Sequence, residues 1–189
     1  MTALQAEGMT PDDHLLDIGC GALRLGHLAV PFLNPGHYWG TDASLALMRH
    51  GRLHELRDPR RLPETQLIED ASFAYPGVPD KITLAIAFGV FTHLPAGLLA
   101  PALQNLRRFP KLRAGLFTLF LAPDGAGPTR QPDGVVTHPD RPPYHVCESF
   151  VETTIRAAGF IPARRPMLLP RGQVLWSAAP PQMRKVRRI

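Results

Sequence analysis

Cysteine is scarce in this sequence: only Cys20 and Cys147 occur in 189 residues, and neither belongs to a CxxC or Cys/His cluster. This argues against a disulfide framework and against a structural metal site. Long apolar runs are also missing, since none approaches the roughly 18 residues that a membrane span needs. Residues 1–11 lack the basic segment and apolar stretch of a secretory signal. The sequence therefore predicts a soluble cytoplasmic protein with no membrane partner and no metal.

Acidic residues are the minority charge: 16 Asp and Glu stand against 21 Lys and Arg, a net charge of +5. Four of the basic residues, Arg184, Lys185, Arg187 and Arg188, lie in the last six positions, and subtracting them from +5 leaves +1. A basic end is typical of a solvated terminus, so this charge is weak support for a nucleic-acid partner. The length suits one α/β domain. We predict a single domain over residues 1–182 and a basic tail over 183–189.

Short apolar runs alternate with amphipathic segments along the chain. Strands are predicted at 14–18, 37–41, 65–69, 82–88 and 115–121, with helices at 23–33, from Ser44 to about 56, and around 99–106. A capping box at Ser149 and Glu152, with Gly159 as the C-terminal glycine, predicts a further helix. The runs 167–169 and 173–176 indicate a final antiparallel hairpin. This alternation predicts a parallel sheet covered on both faces.

Residues 122–146 contain six prolines and three glycines without periodicity. We predict a long loop here, after the fifth strand. Loops of this length in a compact domain are usually functional or disordered. The loop is therefore expected to border a substrate pocket.

The candidate ligand-binding residues follow the predicted strands, where open parallel sheets bind their ligands. Gly19 and Gly21 let the backbone turn tightly and let a ligand approach closely. Asp42 can accept hydrogen bonds from both hydroxyls of a ribose, and Glu69 or Asp70 from an adenine amino group. A dinucleotide site would need a small residue at position 24, where this sequence has arginine. A cofactor without phosphate fits better.

These residues carry a resemblance to S-adenosylmethionine-dependent methyltransferases. The first motif of that family resembles Leu15-Leu-Asp-Ile-Gly-Cys-Gly-Ala-Leu-Arg24, and Gly40-Thr-Asp-Ala-Ser44 stands in place of the second. Residues 88–94 are similar to the segment after the family's fourth strand, and 141–145 and 170–173 resemble a bacterial branch of small enzymes. The similarity covers nearly the whole chain. It implies a three-layer Rossmann-like sandwich whose mostly parallel, seven-stranded sheet has an antiparallel last strand.

The resemblance also implies a site for S-adenosylmethionine. Gly19 and Gly21 would meet its amino-acid end, Asp42 its ribose, and Asp70 with Ala71 its adenine. Asp17 would order the glycine loop and meet the ammonium group through water. The full expected set is Asp17, Gly19, Cys20, Gly21, Arg24, Asp42, Ala43, Asp70, Ala71 and Phe88. Within it, Cys20 is expected to fill space, and Arg24 either to bind a ligand or to form a surface ion pair.

Methyl transfer needs positioning more than a general base, so the candidates for a base stay open. They are His93, Tyr144 and His145, with His138 nearby, and each has a structural interpretation in loop ordering or packing. We expect a methyltransferase acting on oxygen or nitrogen of a small molecule. Two alternatives stay open: a non-catalytic protein that binds the cofactor, suggested by the few residues before the first strand, and an RNA methyltransferase, suggested by the tail.

Overall fold

The computed structural model describes residues 1–181, and the tail predicted over 183–189 lies outside them. The α-helices of this part of the chain are α1 (Thr2–Ala6), α2 (Gly26–Phe32), α3 (Leu45–His54), α4 (Leu99–Leu106) and α5 (Glu148–Ala157). The strands of the central sheet are β1 (Leu15–Ile18), β2 (Tyr38–Asp42), β3 (Leu67–Glu69), β4 (Leu84–Ala87), β5 (Ala114–Leu121), β8 (His145–Val146), β9 (Ile161–Arg165) and β10 (Val174–Ala179), while β6 (Thr129–Arg130) and β7 (Val136–Thr137) form a separate small ribbon. Within residues 1–181, no helix combines the length and apolarity needed to cross a bilayer.

The central sheet has the order β3-β2-β1-β4-β5-β10-β9, and β8 adds a short parallel pairing to β5. The first five strands of this order run parallel, whereas β10 is antiparallel to both of its neighbours. Because β1 pairs with both β2 and β4, the chain winds outward in one direction and then in the other from a point between β1 and β4. The predicted fold class, with its antiparallel last strand, is confirmed, and β8 is an addition to the predicted seven strands.

Each face of the sheet packs on helices. On one face Leu15 and Leu84 pack with Leu4 of α1, Ala29 of α2 and Met48 of α3. On the other face Leu16, Ala85 and Trp176 pack with Leu103 of α4 and Ile155 of α5. The strand residues alternate between the two cores, which explains why the central strands are apolar at almost every position. The predicted three layers are confirmed.

Two helix starts differ from the predictions. Helix α2 begins at Gly26 rather than at 23, because Leu23 has φ 62°, a left-handed conformation that interrupts a helix. Helix α5 has Cys147 at its N-cap position, without a capping hydrogen bond from the side chain, and Ser149 lies inside the helix, so the predicted capping box is wrong. The predicted C-terminal glycine of α5 is confirmed, since Gly159 follows the helix with φ 81°.

The edge strand β9 lies earlier than the predicted run 167–169. Pro166 lacks an N–H group and ends the strand after Arg165, so the apolar residues that follow stay outside the sheet. The antiparallel pairing of the final two strands is nevertheless confirmed, with Ser177 opposite Ala163.

The segment 122–146 is not a structureless loop. Gln131 donates through Nε2 to the Thr137 hydroxyl at 3.0 Å and to the Leu121 carbonyl at 3.1 Å, and the Thr137 hydroxyl lies 2.8 Å from Nδ1 of His145. All three polar side chains of this network are buried. Composition alone predicted an irregular segment because the partners that satisfy these groups lie several residues apart in sequence.

Candidate functional site

The glycine loop follows β1 where the strand order reverses. Gly19 has φ 64° and Gly21 has φ 51°, conformations that disfavour other residues. A Cβ at Gly19 would lie 2.5 Å from Cγ2 of Val90, in the segment after β4, whereas a Cβ at Gly21 would find only Leu47 at 3.8 Å. Gly19 therefore lets the loops after β1 and β4 touch, and Gly21 leaves space beside the loop. The positive φ values agree with the tight turn predicted for the two glycines, the contact with Val90 was not predicted, and the approach of a ligand stays a prediction.

Asp42, the last residue of β2, joins two loops. Its Oδ2 accepts a hydrogen bond from the N–H of Gly21 at 3.0 Å, and its Oδ1 accepts one from the N–H of Ser44 at 2.9 Å. The Ser44 hydroxyl in turn accepts from the N–H of Leu47 and caps α3 as predicted. An ionised carboxylate has about four lone-pair sites. Two of them are left to accept hydrogen bonds from a ligand beside the glycine loop.

Asp70, directly after β3, binds its own loop. Its Oδ1 accepts from the N–H and the hydroxyl of Ser72, and its Oδ2 accepts from the N–H of Tyr75. Partial burial opposes the charge, but the hydrogen bonds from Tyr75 and Ser72 outweigh it and lower the pKa of Asp70. The neighbouring Glu69 is exposed and accepts a longer bond from the N–H of Leu45 at 3.3 Å. An adenine amino group would find fewer free lone pairs on Asp70 than a ribose finds on Asp42.

Asp17 lies inside the sheet, in β1, and is buried. Its Oδ2 accepts a hydrogen bond from the hydroxyl of Tyr38 in β2 at 2.6 Å. Burial raises the pKa of Asp17 to about 7, although the Tyr38 hydrogen bond acts in the opposite direction. Among the described residues the glycine loop is held by Asp42, the role that had been expected of Asp17.

A pH-dependence of stability follows from Asp17. An aspartate in an unfolded chain has a pKa of about 3.9, so the folded state binds more protons between that value and about 7. Stability from this group is complete below about pH 4 and is lost as the pH rises through 7. Asp17→Asn keeps an oxygen for Tyr38 but no proton to lose. Urea denaturation at pH 5 and pH 8 is therefore expected to show wild type losing stability relative to Asp17→Asn at the higher pH.

The matched control is Asp13→Asn. Despite desolvation, hydrogen bonds from Arg113, Thr10 and Thr83 lower the pKa of Asp13. Its contribution is present above about pH 3.9 and is lost only as the pH falls through the lowered pKa. The difference between wild type and this variant should stay constant between pH 5 and pH 8. If the Asp17→Asn difference were equally constant, the raised pKa of Asp17 would be contradicted.

The remaining members of the predicted cofactor set surround these loops. The buried Cys20 thiol packs on Gly40, where an added Cβ would lie 2.8 Å from Sγ, and burial raises its pKa strongly. This is the space-filling role expected of it. Arg24 is exposed and has no ion-pair partner within residues 1–181. Ala43, Ala71 and Phe88 are exposed in the loops after β2, β3 and β4, and Phe88 shows 45% of its surface.

The candidate bases differ in accessibility. His145 is buried and its ring nitrogens face the Thr137 hydroxyl and the Ala126 carbonyl, so it holds the segment 122–146 together. Tyr144 is half-buried and its N–H donates to the Thr92 carbonyl at 2.7 Å. His138 is also half-buried. His93 is exposed and lines a cavity. Of the predicted bases, His93 is therefore the most exposed, and it lines the cavity.

That cavity has a volume of about 290 Å³ and lies at the carboxyl edge of the sheet. It is lined by Thr92, His93, Phe120, Val135, Pro142, Pro143, Arg171 and Gln173. Three segments form its walls: the loop after β4, the segment after β5 and the turn before β10. The segment 122–146 lines this cavity through Val135, Pro142 and Pro143, and its role beside a substrate pocket stays a prediction. Sequence reasoning gave no role to Phe120 or Gln173, because neither residue type marks a site by itself.

Backbone strain is concentrated at the same edge. The non-glycine residues with positive φ among residues 1–181 are Leu23, Phe73, Tyr75 and Arg171, with φ between 53° and 62°. They occupy the glycine loop, the loop after β3 and the turn before β10. Such conformations cost on the order of 1–3 kcal/mol each and persist where surrounding structure enforces them, often at functional sites. The sequence gives no signal for them.

Metal ligands do not gather in the described part of the chain. No group of three or more His, Cys, Asp or Glu side chains within residues 1–181 has the arrangement to hold a metal ion.

Comparison with known proteins shows the fold. No family model matches the sequence, and no curated protein is significantly similar to it. Among solved structures, the chain resembles magnesium protoporphyrin IX methyltransferase from Synechocystis PCC 6803 with bound S-adenosylmethionine (18% identity, 95% of this chain and 76% of that chain, TM-score 0.64). It also resembles 1,6-didemethyltoxoflavin-N1-methyltransferase from Burkholderia thailandensis with bound 1,6-didemethyltoxoflavin and S-adenosylhomocysteine (16%, 96% and 76%, TM-score 0.68). A third is an S-adenosylmethionine-dependent methyltransferase from Mesorhizobium loti (16%, 94% and 96%, TM-score 0.61). The chain therefore has the Rossmann-like fold of these methyltransferases.

Proposed function

We propose that this chain is an S-adenosylmethionine-dependent methyltransferase that acts on an oxygen or nitrogen atom of a small molecule. The observation that carries the proposal is the arrangement of Asp42, whose carboxylate holds the glycine loop through Gly21 and keeps two lone-pair sites free. The solved methyltransferases that share the fold include ones with this cofactor or its product bound.

In this proposal the cofactor spans the loops after β1, β2 and β3. Its amino-acid end lies against Gly19 and Gly21, and its ribose hydroxyls donate to Asp42. The adenine lies toward Asp70 and Ala71, with the exposed ring of Phe88 available to cover it. A helix N-terminus aimed at a pyrophosphate is not needed, because this cofactor has no phosphate.

For methyl transfer, the protein mainly has to position the methyl donor and the acceptor. S-adenosylmethionine supplies a methyl group on a cationic sulfur, which is already activated for displacement. The residues of the cavity must hold the acceptor atom in line with that methyl group. His93 is exposed at the cavity wall and can accept the proton that an attacking hydroxyl or amine loses.

The size of the cavity supports a small acceptor. Its volume of about 290 Å³ is just below the range of about 300–1,000 Å³ that is typical of ligand pockets. The cavity and the glycine loop both lie at the carboxyl edge of the sheet, as a donor and an acceptor site require. A small-molecule substrate is therefore favoured over a nucleic acid.

Gly21→Ala tests the cofactor site. A Cβ at Gly21 meets only Leu47 inside the protein, so its stability cost is limited to the positive φ, on the order of 1 kcal/mol. The same Cβ would intrude on a ligand that lies against the loop. Calorimetric titration with S-adenosylhomocysteine is therefore expected to show at least about a tenfold loss of affinity.

The matched control is Gly36→Ala. Gly36 also has positive φ, at 85°, and a Cβ there meets nothing within 4 Å, but the residue lies before β2, away from the site. It should lose similar stability and no affinity. Normal binding by folded Gly21→Ala would place the cofactor elsewhere.

A further inference from the structure

Within residues 1–181, the cavity beside the proposed cofactor site is lined by one side chain that is always positively charged. Arg171 lines its wall and, within residues 1–181, has neither an ion-pair nor a hydrogen-bond partner. By contrast, Arg113 and Arg165, elsewhere in the fold, are each paired with a carboxylate. Arg171 is exposed, as are Arg24 and Arg57, likewise unpaired in this part of the chain, but of these three it is the one that lines the cavity, where its guanidinium can bind an anion with two parallel hydrogen bonds.

The backbone holds Arg171 in place at a cost. The residue has φ 61° and ψ 21°, a left-handed conformation, and is followed by Gly172 at φ 70°. A Cβ at Gly172 would lie 2.8 Å from Cδ of Pro132, so the turn before β10 packs closely on the segment after β5. A left-handed conformation is unfavourable for arginine and persists only where the surrounding structure enforces it. The packed turn fixes this residue at the cavity wall.

A second polar group of the cavity wall lacks a partner. The Oε1 atom of Gln173 is buried and accepts no hydrogen bond within the described residues. A buried acceptor without a donor is unfavourable because it has lost its hydrogen bonds to water. Gln173 lines the cavity, and a rotation of its amide that turns Oε1 inward would let an N–H or O–H of a ligand satisfy it. Gln173 and Arg171 are two positions apart in the chain and line the same cavity.

Beside the polar Thr92 and His93, the remaining walls are apolar. Pro142 and Pro143 line the cavity from the segment after β5, together with the edge of the buried Phe120, the second-last residue of that strand. Rings of this kind pack on a flat, apolar body, and such pockets use a few polar groups to orient their ligand. A cation, an unsatisfied acceptor and flat apolar walls therefore occur together in one small cavity.

From this combination we infer that the methyl acceptor is a small, flat organic anion that also carries a hydroxyl or amino group. Arg171 binds its anionic group, Gln173 accepts a hydrogen bond from its N–H or O–H, and Phe120 with the two prolines packs on its body. This inference rests on the proposed function, since it assigns the substrate class of the same site. The anionic group is a carboxylate or a phosphate, and the experiment below distinguishes the two by comparing probes of each kind.

Matched pairs of probes test the inference on the full protein saturated with S-adenosylhomocysteine. The probes are hydroxybenzoates and aminobenzoates, the corresponding neutral benzamides, and hydroxyphenyl phosphates, with binding followed by ligand-observed NMR. We expect the acids to bind at least about tenfold more tightly than the amides. Comparing benzoates with phosphates identifies the anionic group. Equal binding of acids and amides, or no binding of any acid, overturns the inference.

The variant Arg171→Gln tests whether Arg171 is the residue that binds the anionic group. Glutamine adopts left-handed backbone at a cost similar to that of arginine, so folding should be preserved, and preference for the acids should disappear. Arg57→Gln is the matched control, because Arg57 is an exposed arginine beyond the far end of α3 that also lacks a partner within residues 1–181. It should keep the preference. Retained preference in Arg171→Gln overturns the inference.

Titration of both variants with S-adenosylhomocysteine separates the two proposals. Arg171→Gln should bind this compound like wild type, because Arg171 serves the acceptor. If wild type fails to bind it, the proposed function fails. If it binds but shows no preference for anions, only the substrate class is wrong.

Discussion

Replacing Asp42 by alanine is expected to weaken S-adenosylhomocysteine binding by about 10²-fold. The carboxylate has two free lone-pair sites beside the glycine loop, and hydrogen bonds to a charged group contribute about 1.5–3 kcal/mol each. The substitution also removes the acceptor of the Gly21 N–H, so the loop loses its anchor to β2. Calorimetric titration of the folded variant measures the change.

Ser44→Ala is the control for the structural part of this effect. It removes the hydroxyl that accepts from Leu47 and caps α3, at a cost of about 1 kcal/mol, while the Asp42 carboxylate stays in place. The melting temperature should fall in both variants, and affinity only in Asp42→Ala. Equal affinities in the two variants would remove Asp42 from the ligand site.

The largest loss of stability is expected from Gly51→Ala, in the middle of α3. A Cβ at Gly51 would overlap the carbonyl group of Ala22, which belongs to the backbone of the glycine loop. Backbone cannot rotate away as a flexible side chain can, so the helix and the loop must move apart. Overpacking of this kind costs about 1–3 kcal/mol. Thermal denaturation should show a melting temperature several degrees lower.

Gly97→Ala is the matched control for helical glycine. Gly97 also lies in a helical turn, before α4, and a Cβ there meets nothing within 4 Å. Its stability should stay equal to that of wild type or rise slightly, because alanine restricts the unfolded chain. Equal stability of Gly51→Ala and Gly97→Ala would contradict the close contact between α3 and the glycine loop.

The sequence predicted the central strands because their apolar runs are unbroken. The central strands lie between helices on both faces, so residues on either side, such as Leu16 and Ile86, are buried. This burial makes nearly every position of these strands apolar, a pattern that can be recognised in the sequence. The edge strand β9 was misplaced because Ile161–Arg165 contains a proline and two arginines, and its pairing depends on β10 alone. An edge strand pairs with a neighbour on one side only and is less buried, so the alternation of apolar residues in its sequence is weak.

Residue type predicted part of the candidate site, and spatial contact decides the rest. Asp42 and Gly21 were singled out by position after a strand, but the hydrogen bond between them joins separate loops. The contact of Gly51 with Ala22 leaves no local pattern in the sequence, because a helical glycine that packs on another backbone cannot be distinguished there from one that does not. Whether the side-chain oxygen of Gln173 has a hydrogen-bond partner depends on its neighbours in space, which the sequence around position 173 does not identify.

Binding of S-adenosylhomocysteine to the wild-type protein tests the central claim most directly. Calorimetric titration is expected to give saturable binding at one site per chain, with no comparable binding of NAD, because Arg24 stands where a dinucleotide loop needs a small residue. Absence of saturable binding by correctly folded protein, or tighter binding of NAD, would contradict the assignment of this edge of the sheet to S-adenosylmethionine.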